Sequence, residues 1–138
     1  MARIYLLDTN AVSDLMRITG GLSKWAPTTE PGAQAIICSI VLGELLFGIS
    51  VLPAGKRKAA LAAEAALVLD QVEHREVPIE AGPHYARIKM ERQLAGRRME
   101  ENDLWIAATA LAIGATVVSR DEAFLGVAGL NVVQIKAE

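Results

Sequence analysis

Short apolar runs alternate with long helix-like segments along this chain, and this alternation constrains the fold more than any other feature. The apolar runs cover residues 3–7, 115–119 and 131–135. The helix-like segments run from near Pro53 to His74, from about Ala81 to Ala95, and from about Asn102 to Ile113. Short buried strands separated by helices pair in parallel and are covered on both faces. The sequence therefore predicts an α/β fold of three α/β/α layers around a mainly parallel sheet.

The chain has the size of one domain, and we expect a single domain over residues 1–138. Hydrophobic side chains make up 52% of its residues, which is a larger share than soluble domains usually have. A chain of this composition can offset its backbone entropy and still has apolar surface to spare. The surplus favours helices packed across a symmetric interface, and thus a homodimer.

Residues 36–52 form the one segment that raises the question of a membrane span. The segment is shorter than the roughly 20 residues a bilayer requires, and it carries Glu44 near its middle. We therefore expect buried structure here and no association with a membrane. The N-terminal residues lack the pattern of a signal peptide. Cys38 has no second cysteine with which to pair, so we expect a core residue in a cytoplasmic protein.

The net charge of −2 gives no sign of a nucleic-acid binder, so a polyanion would need a local basic patch. The basic residues that could contact a phosphate backbone are Arg17, Lys24, Arg92, Arg97, Arg98 and Arg120, each of which could equally lie on a solvated helix face. Trp25, in the Gly- and Pro-rich loop 19–32, could stack on a base. Trp105 is expected in the core.

Four carboxylates stand at the edges of the most apolar segments or inside them. Asp8 ends the first strand, Asp121 follows the strand 115–119 after one arginine, and Asp103 opens the last helix. Because the carboxyl ends of parallel strands meet at one edge of a sheet, Asp8 and Asp121 could face one crevice. Glu44 lies within an apolar run, where an ionised group must be paired, exposed or bound to a cation.

Four such acids in one place would repel one another, and a divalent cation resolves that repulsion. Oxygen ligands without a histidine or cysteine favour Mg²⁺ or Mn²⁺ over zinc. Each acid also has a structural interpretation: Asp8 could cap a helix beginning near Asn10, Asn102 and Asp103 could cap the last helix, Asp121 could begin a turn, and Glu44 could pair with an arginine.

Three motifs occur here in a familiar order and spacing: LLDTN (6–10), SIVLGELLFGI (39–49) and ENDLWIAATALAIGATVVSRD (101–121). Together they resemble the PIN-domain family, and most of all the VapC and FitB-like toxins of bacterial type II toxin–antitoxin pairs. The resemblance covers nearly the whole chain, including residues 52–61 and 85–97. It implies a PIN-like α/β/α domain that acts as a toxin and cleaves RNA phosphodiester bonds by metal-activated water, with Mg²⁺ or Mn²⁺ as cofactor.

In that family the catalytic acids match Asp8, Glu44, Asp103 and Asp121. The resemblance implies that Asp8 and Asp103 contact the metal directly, while Glu44 and Asp121 reach it through water and one of them helps to deprotonate the attacking water. Four neighbours of these acids could orient a carboxylate or a phosphate, or could be ordinary cap and turn residues: Thr9, Asn10, Ser39 and Ser119. The two histidines, His74 and His84, receive no catalytic role.

The family also implies a cognate DNA-binding antitoxin of the VapB or FitA type, whose C-terminal segment covers the pocket. One departure is the lead-in Met99, Glu100 and Glu101, where two extra acids would repel RNA. Two alternatives remain open. A receiver-like or haloacid-dehalogenase-like phosphotransfer domain would also use acids at strand ends, although the second acid of the dehalogenase pattern is here Asn10. A PIN module could also bind RNA or a protein without cutting.

Overall fold

A parallel sheet of five strands runs through the part of the chain that the computed structural model describes, residues 3–18 and 30–135. The strands are β1 (Ile4–Leu7), β2 (Gln34–Cys38), β3 (Glu73–Arg75), β4 (Thr116–Val118) and β5 (Val132–Val133). The helices are α1 (Thr9–Met16), α2 (Ser39–Ser50), α3 (Lys56–Gln71), α4 (Ala81–Leu94) and α5 (Glu101–Ile113), with a 3-10 helix at Glu122–Gly126. All four strand pairs are parallel, which confirms the predicted α/β architecture.

The strand order β3-β2-β1-β4-β5 explains how helices come to cover both faces. From β1 the chain moves outward to β2 and β3, and it then returns across the sheet to β4 and β5. Because such crossovers are right-handed, helices on the outward path and helices on the return path lie on opposite faces. Accordingly α1 contacts α3, and α4 contacts α5.

The core lies where the three central strands meet the helices. Leu6, Ile36 and Val117 are fully buried in β1, β2 and β4, as expected for strands covered on both faces. Residues 106–110 of α5 are buried without interruption, so α5 is the enclosed helix that its apolar sequence predicts. Cys38 is buried at the end of β2, and Trp105 is partly buried with its ring stacked on that of Tyr85, so both residues pack as predicted.

Two strands went unrecognised in the sequence. Residues 36–52 contain the end of β2 and the whole of α2. The helix expected from Pro53 to His74 was wrong at both ends: α3 begins at Lys56, after Gly55 with φ +150°, and ends at Gln71. His74 lies in β3 because Glu73–Arg75 pair with residues 36–38 of β2, and this tertiary pairing overrides the local helical pattern.

The remaining boundaries differ by a few residues. Strands β4 and β5 are shorter than the runs 115–119 and 131–135, whereas α4 and α5 follow the predicted segments closely. The cap of α5 is Glu100, so the interpretation of Asn102 and Asp103 as an N-cap was wrong. Lys24, Trp25 and most of the loop 19–32 lie outside the described residues. Within the described ranges no helix is long and apolar enough to cross a membrane.

Replacing Ile36 by alanine should lower the free energy of unfolding by about 2–5 kcal/mol, because it leaves a cavity in the fully buried centre of β2. Urea denaturation measures the loss. The matched control is Ile79→Ala, whose side chain is 89% exposed and whose truncation should change stability by about 0.5 kcal/mol or less. Equal losses in the two variants would contradict the placement of β2 inside the sheet, between β3 and β1.

Candidate active site

The carboxyl ends of β1 and β4 lie side by side at the point where the sheet changes its direction of winding. Leu7 of β1 is in register with Val118 of β4, and the Asp8 backbone N–H donates to the Val118 carbonyl at 3.1 Å. In parallel α/β sheets this switch point opens a crevice in which ligands bind. The chain therefore delivers Asp8 and Ser119 to the same place, from positions 111 residues apart.

Asp8 is a buried carboxylate, with 4% of its surface exposed. Its Oδ1 accepts a hydrogen bond from the Ala11 backbone N–H at 2.7 Å, so it does cap α1, and its Oδ2 accepts one from Ser119 Oγ at 2.5 Å. Burial raises the pKa of Asp8, while these two hydrogen bonds oppose the rise. A carboxylate has about four acceptor sites, so both bonds leave room for a further ligand.

Ser119 couples Asp8 to Asp121. The Ser119 hydroxyl donates to Asp8 and accepts from the Asp121 backbone N–H at 2.9 Å, and Ser119 is itself buried. The Oδ1 of Asp121 accepts from the Ala123 N–H at 2.9 Å, which caps the 3-10 helix that follows. The expected turn at Asp121 is thus present, and the same hydrogen bonds fix the two acids relative to each other.

Glu44 joins the site from α2. Thr9 Oγ1, next to Asp8 in the chain, donates to Glu44 Oε1 at 2.9 Å. No arginine pairs with Glu44 in the described residues, so the expected alternative of a buried Glu–Arg pair was wrong. Thr9 and Ser119 therefore orient carboxylates, whereas the other two predicted orienting residues, Asn10 and Ser39, are exposed in the first turns of α1 and α2.

Asp103, in the first turn of α5, is the acid on which the other acids act most clearly. Burial and then the negative charges of Asp121, Glu100, Glu44 and Asp8 raise the pKa of Asp103 to about 6. The positive end of the helix dipole normally stabilises an ionised acid at this position, so the neighbouring charges and burial outweigh it. The three other acids that the sequence singled out thus lie near enough to Asp103 for their charges to act on it.

The two extra acids before Asp103 have different surroundings. The charge of Glu100 contributes to the raised pKa of Asp103, so Glu100 lies close enough to act on Asp103 through its charge. Glu101 accepts a hydrogen bond from the Tyr85 hydroxyl and pairs with Lys89 Nζ at 3.2 Å, and these contacts lower the pKa of Glu101. Of these two glutamates, therefore, Glu100 is the one whose charge acts on Asp103.

Sequence reasoning missed Asp14, which lies beside the site on α1. Its carboxylate pairs with Arg120 at 3.4 Å and with Arg17 at 3.8 Å, and its charge contributes to the raised pKa of Asp8. Two arginines predicted to contact RNA are thus already engaged by an acid. The only signal in the sequence was an acid six positions after Asp8.

The donors at this site fit a magnesium or manganese ion. The four side chains offer only carboxylate oxygens, and their mutual repulsion is what a divalent cation would relieve. Among the described residues, no three acidic, histidine or cysteine side chains converge closely enough to hold one ion between them. Mg²⁺ is commonly bound through one or two carboxylates and keeps several waters, whereas a structural zinc needs four close ligands.

Comparison with known proteins agrees with this geometry. The profile of the PIN domain family matches residues 5–130. A VapC ribonuclease, Y4jK of Sinorhizobium fredii, is 30% identical over 132 residues, covering 93% of this chain and 94% of the relative. The chain therefore belongs to the PIN-domain family. Within that family it belongs to the VapC-type toxins, as its motifs predicted.

Solved structures share the fold. VapBC2 of Rickettsia felis, crystallised with a promoter DNA fragment, superimposes with a TM-score of 0.83 at 24% identity, covering 96% of this chain and 99% of that one. FitAcB of Neisseria gonorrhoeae gives a TM-score of 0.69 at 24% identity, covering 93% and 95%. The fold of this chain is thus the fold of these two neighbours.

Because the pKa of Asp103 is raised, we expect the free energy of unfolding in metal-free buffer to depend on pH. Between about pH 4 and pH 6 the folded state keeps a proton that the unfolded chain has lost, so the free energy of unfolding falls as the pH rises. Asp103→Asn should remove this part of the slope. Above about pH 6 the variant should be more stable than the wild type by on the order of 1 kcal/mol, since solvent screens a partly exposed carboxylate.

Urea denaturation from pH 4 to pH 8 measures this difference, with Asp70→Asn on the exposed face of α3 as the matched control.

Titration of the Asp103 carboxyl group by NMR provides a finer test: Glu100→Gln should lower the pKa of Asp103, and Glu101→Gln should leave it unchanged. A parallel pH dependence of the wild type and Asp103→Asn would mean that the four acids do not interact in the folded protein.

Proposed function

We propose that this chain is the toxin of a type II toxin–antitoxin pair and acts as a metal-dependent endoribonuclease. The observation that carries the proposal is the meeting of Asp8, Glu44, Asp103 and Asp121 at the switch point of the sheet, where their charges and burial raise the pKa of Asp103 to about 6. The 30% identical VapC ribonuclease supports it. Action on cellular RNA would place the protein in the cytoplasm.

Each acid is assigned the role that the resemblance to the PIN-domain family implies. Asp8 and Asp103 would hold Mg²⁺ or Mn²⁺, and the ion would supply positive charge for the phosphate and lower the pKa of water. Ser119 keeps Asp8 in one orientation through a hydrogen bond, and Thr9 does the same for Glu44. Glu44 or Asp121 would accept the proton of the attacking water. Glu100 would add to the repulsion that an RNA phosphate meets near Asp103.

Antitoxin-free protein should cut total cellular RNA into discrete fragments with Mg²⁺ or Mn²⁺, and EDTA should abolish this cleavage. Asp103→Asn should lower the rate about a hundredfold or more, because it removes a charge at the centre of the site without changing its shape. Fragment yield by gel electrophoresis, followed by end-mapping, measures the effect. Asp70→Asn makes the same substitution on an exposed helix face and should cleave normally.

Intact RNA in the presence of folded, metal-loaded protein would contradict the proposal. RNA that is then still bound would favour the PIN module that binds without cutting. Transfer of phosphate from a small phosphodonor without RNA cleavage would instead favour the phosphotransfer domain.

We also propose that a DNA-binding antitoxin of the VapB or FitA type is the partner and that its C-terminal segment covers the acidic crevice. An antitoxin arginine would pair with the ring of four acids and displace the metal, since a guanidinium binds carboxylates in a planar, bidentate manner. The solved relatives support the pairing, since VapBC2 and FitAcB are complexes of this kind by name.

Expression of the chain alone in a bacterial host should therefore arrest growth, and co-expression of the cognate antitoxin should relieve the arrest. Asp103→Asn should cause no arrest, because growth inhibition depends on cleavage. Growth curves together with immunoblots for equal expression measure this. An arrest that persists in Asp103→Asn would contradict RNA cleavage as its cause. Neutralisation that survives the replacement of every arginine in the C-terminal segment of the antitoxin would contradict the proposed role of an arginine.

The homodimer and the single domain over residues 1–138 stay predictions. Large apolar side chains exposed on the helices support an interface between copies: Phe47 is 67% exposed on α2, Leu67 is 69% exposed on α3 and Leu94 is 81% exposed on α4. Surface of this kind is more common where a second chain covers it.

A further inference from the structure

A second charged feature lies between α4 and the start of α5. It is a hollow of about 290 Å³, here called the basic hollow, lined by Lys89, Arg92, Arg98, Met99, Glu101 and Leu104. Three of these side chains are cations and one is an acid. The basic hollow and the acidic crevice share the first turn of α5, because Leu104 lines the hollow and Asp103 the crevice, about 100° apart around the helix.

The charges in the basic hollow do not cancel. Lys89 is neutralised by Glu101 at 3.2 Å. Arg92 and Arg98 form no ion pair with any residue of the described ranges. The Nε of Arg92 is moreover buried without a hydrogen-bond partner in those ranges. Buried donors are nearly always satisfied in folded proteins, so this guanidinium has a donor for which the described ranges supply no acceptor.

Packing, and not an acid, holds the Arg92 side chain in place. A Cβ on Gly126 would lie 2.1 Å from Arg92 Nη1, so the guanidinium rests where only a glycine leaves room for it. Gly126 is the last residue of the 3-10 helix that Asp121 caps. The guanidinium therefore touches the element that carries a proposed catalytic acid, and it is positioned before any ligand arrives.

We propose that the basic hollow binds a backbone phosphate of the single-stranded RNA substrate, next to the phosphate that is cut. An arginine fork matches the oxygens of a phosphate, and the uncompensated charges of Arg92 and Arg98 offset the repulsion from Glu100 and the acidic crevice. RNA carries a phosphate at every nucleotide, so one strand can occupy both places. This inference rests on the proposed ribonuclease function and names the residues that position its substrate.

The test measures binding of a fluorescein-labelled, mixed-sequence single-stranded RNA 12-mer by fluorescence anisotropy at several NaCl concentrations. The Asp103→Asn chain is used so that the probe stays intact. Adding Arg92→Gln should weaken binding about tenfold, and the plot of log affinity against log salt should become shallower by about 0.7, the value for one lost phosphate contact on a single strand. Arg87→Gln is the matched control on α4, because Glu91 already pairs with Arg87 at 3.1 Å.

Gly126→Ala provides a second test that leaves every charge in place. Its new methyl group would displace the Arg92 guanidinium, so binding should weaken as it does in Arg92→Gln. Thermal unfolding midpoints establish that the variants are folded. Unchanged affinity and an unchanged salt slope in both variants would overturn the proposal.

The two proposals fail in distinguishable ways. If the wild type cuts RNA and Arg92→Gln changes neither cleavage nor binding, the proposed phosphate site is wrong and the proposed nuclease function stands. If Arg92 is required for RNA binding while the wild type cuts no RNA, the phosphate site stands and the nuclease is wrong. If a hexaglutamate peptide binds in an Arg92-dependent manner while RNA binding is unaffected, the hollow takes an acidic partner segment and not RNA, and the proposal is overturned.

Discussion

The candidate site depends on one costly interaction, the burial of the Asp8 carboxylate between β1 and β4. Burial disfavours its ionised form, and the chain compensates with hydrogen bonds from Ser119 and from the first turn of α1. Those bonds require β1 to lie beside β4, α1 to begin at Thr9, and the chain to turn at Ser119. The geometry of the site therefore depends directly on the register of β1 and β4.

Charge repulsion at the same edge explains why the site costs stability. Asp103 gains from the helix dipole of α5, yet its pKa is raised because burial, and then the charges of Asp121, Glu100 and Glu44, act in the opposite direction. A fold that served only stability would not gather these acids. Their arrangement suits the proposed site for a divalent cation and a phosphate, and the basic hollow on the neighbouring side of α5 carries the opposite charge.

Sequence reasoning succeeded where the signal was local. The apolar runs before Asp8 and Asp121 and the apolar pattern after Asp103 located β1, β4 and α5, and they identified the acids at their ends. It failed at β3, because residues 73–75 continue a helical pattern and become a strand only by pairing with β2. It also missed the role of Asp14, because an acid on an amphipathic helix has no local mark of the arginines it pairs with.

The sequence by itself determined which acids stand at apolar boundaries, the parallel α/β class and the family, since each depends on residue type and spacing along the chain. Only the tertiary structure decided that Ser119 binds Asp8, that Thr9 binds Glu44, that Glu101 turns to Lys89 while Glu100 acts on Asp103, and that Gly126 seats Arg92. The physical reason is that hydrogen bonds, desolvation and Coulomb interactions depend on distances in space, and the order of the strands sets those distances.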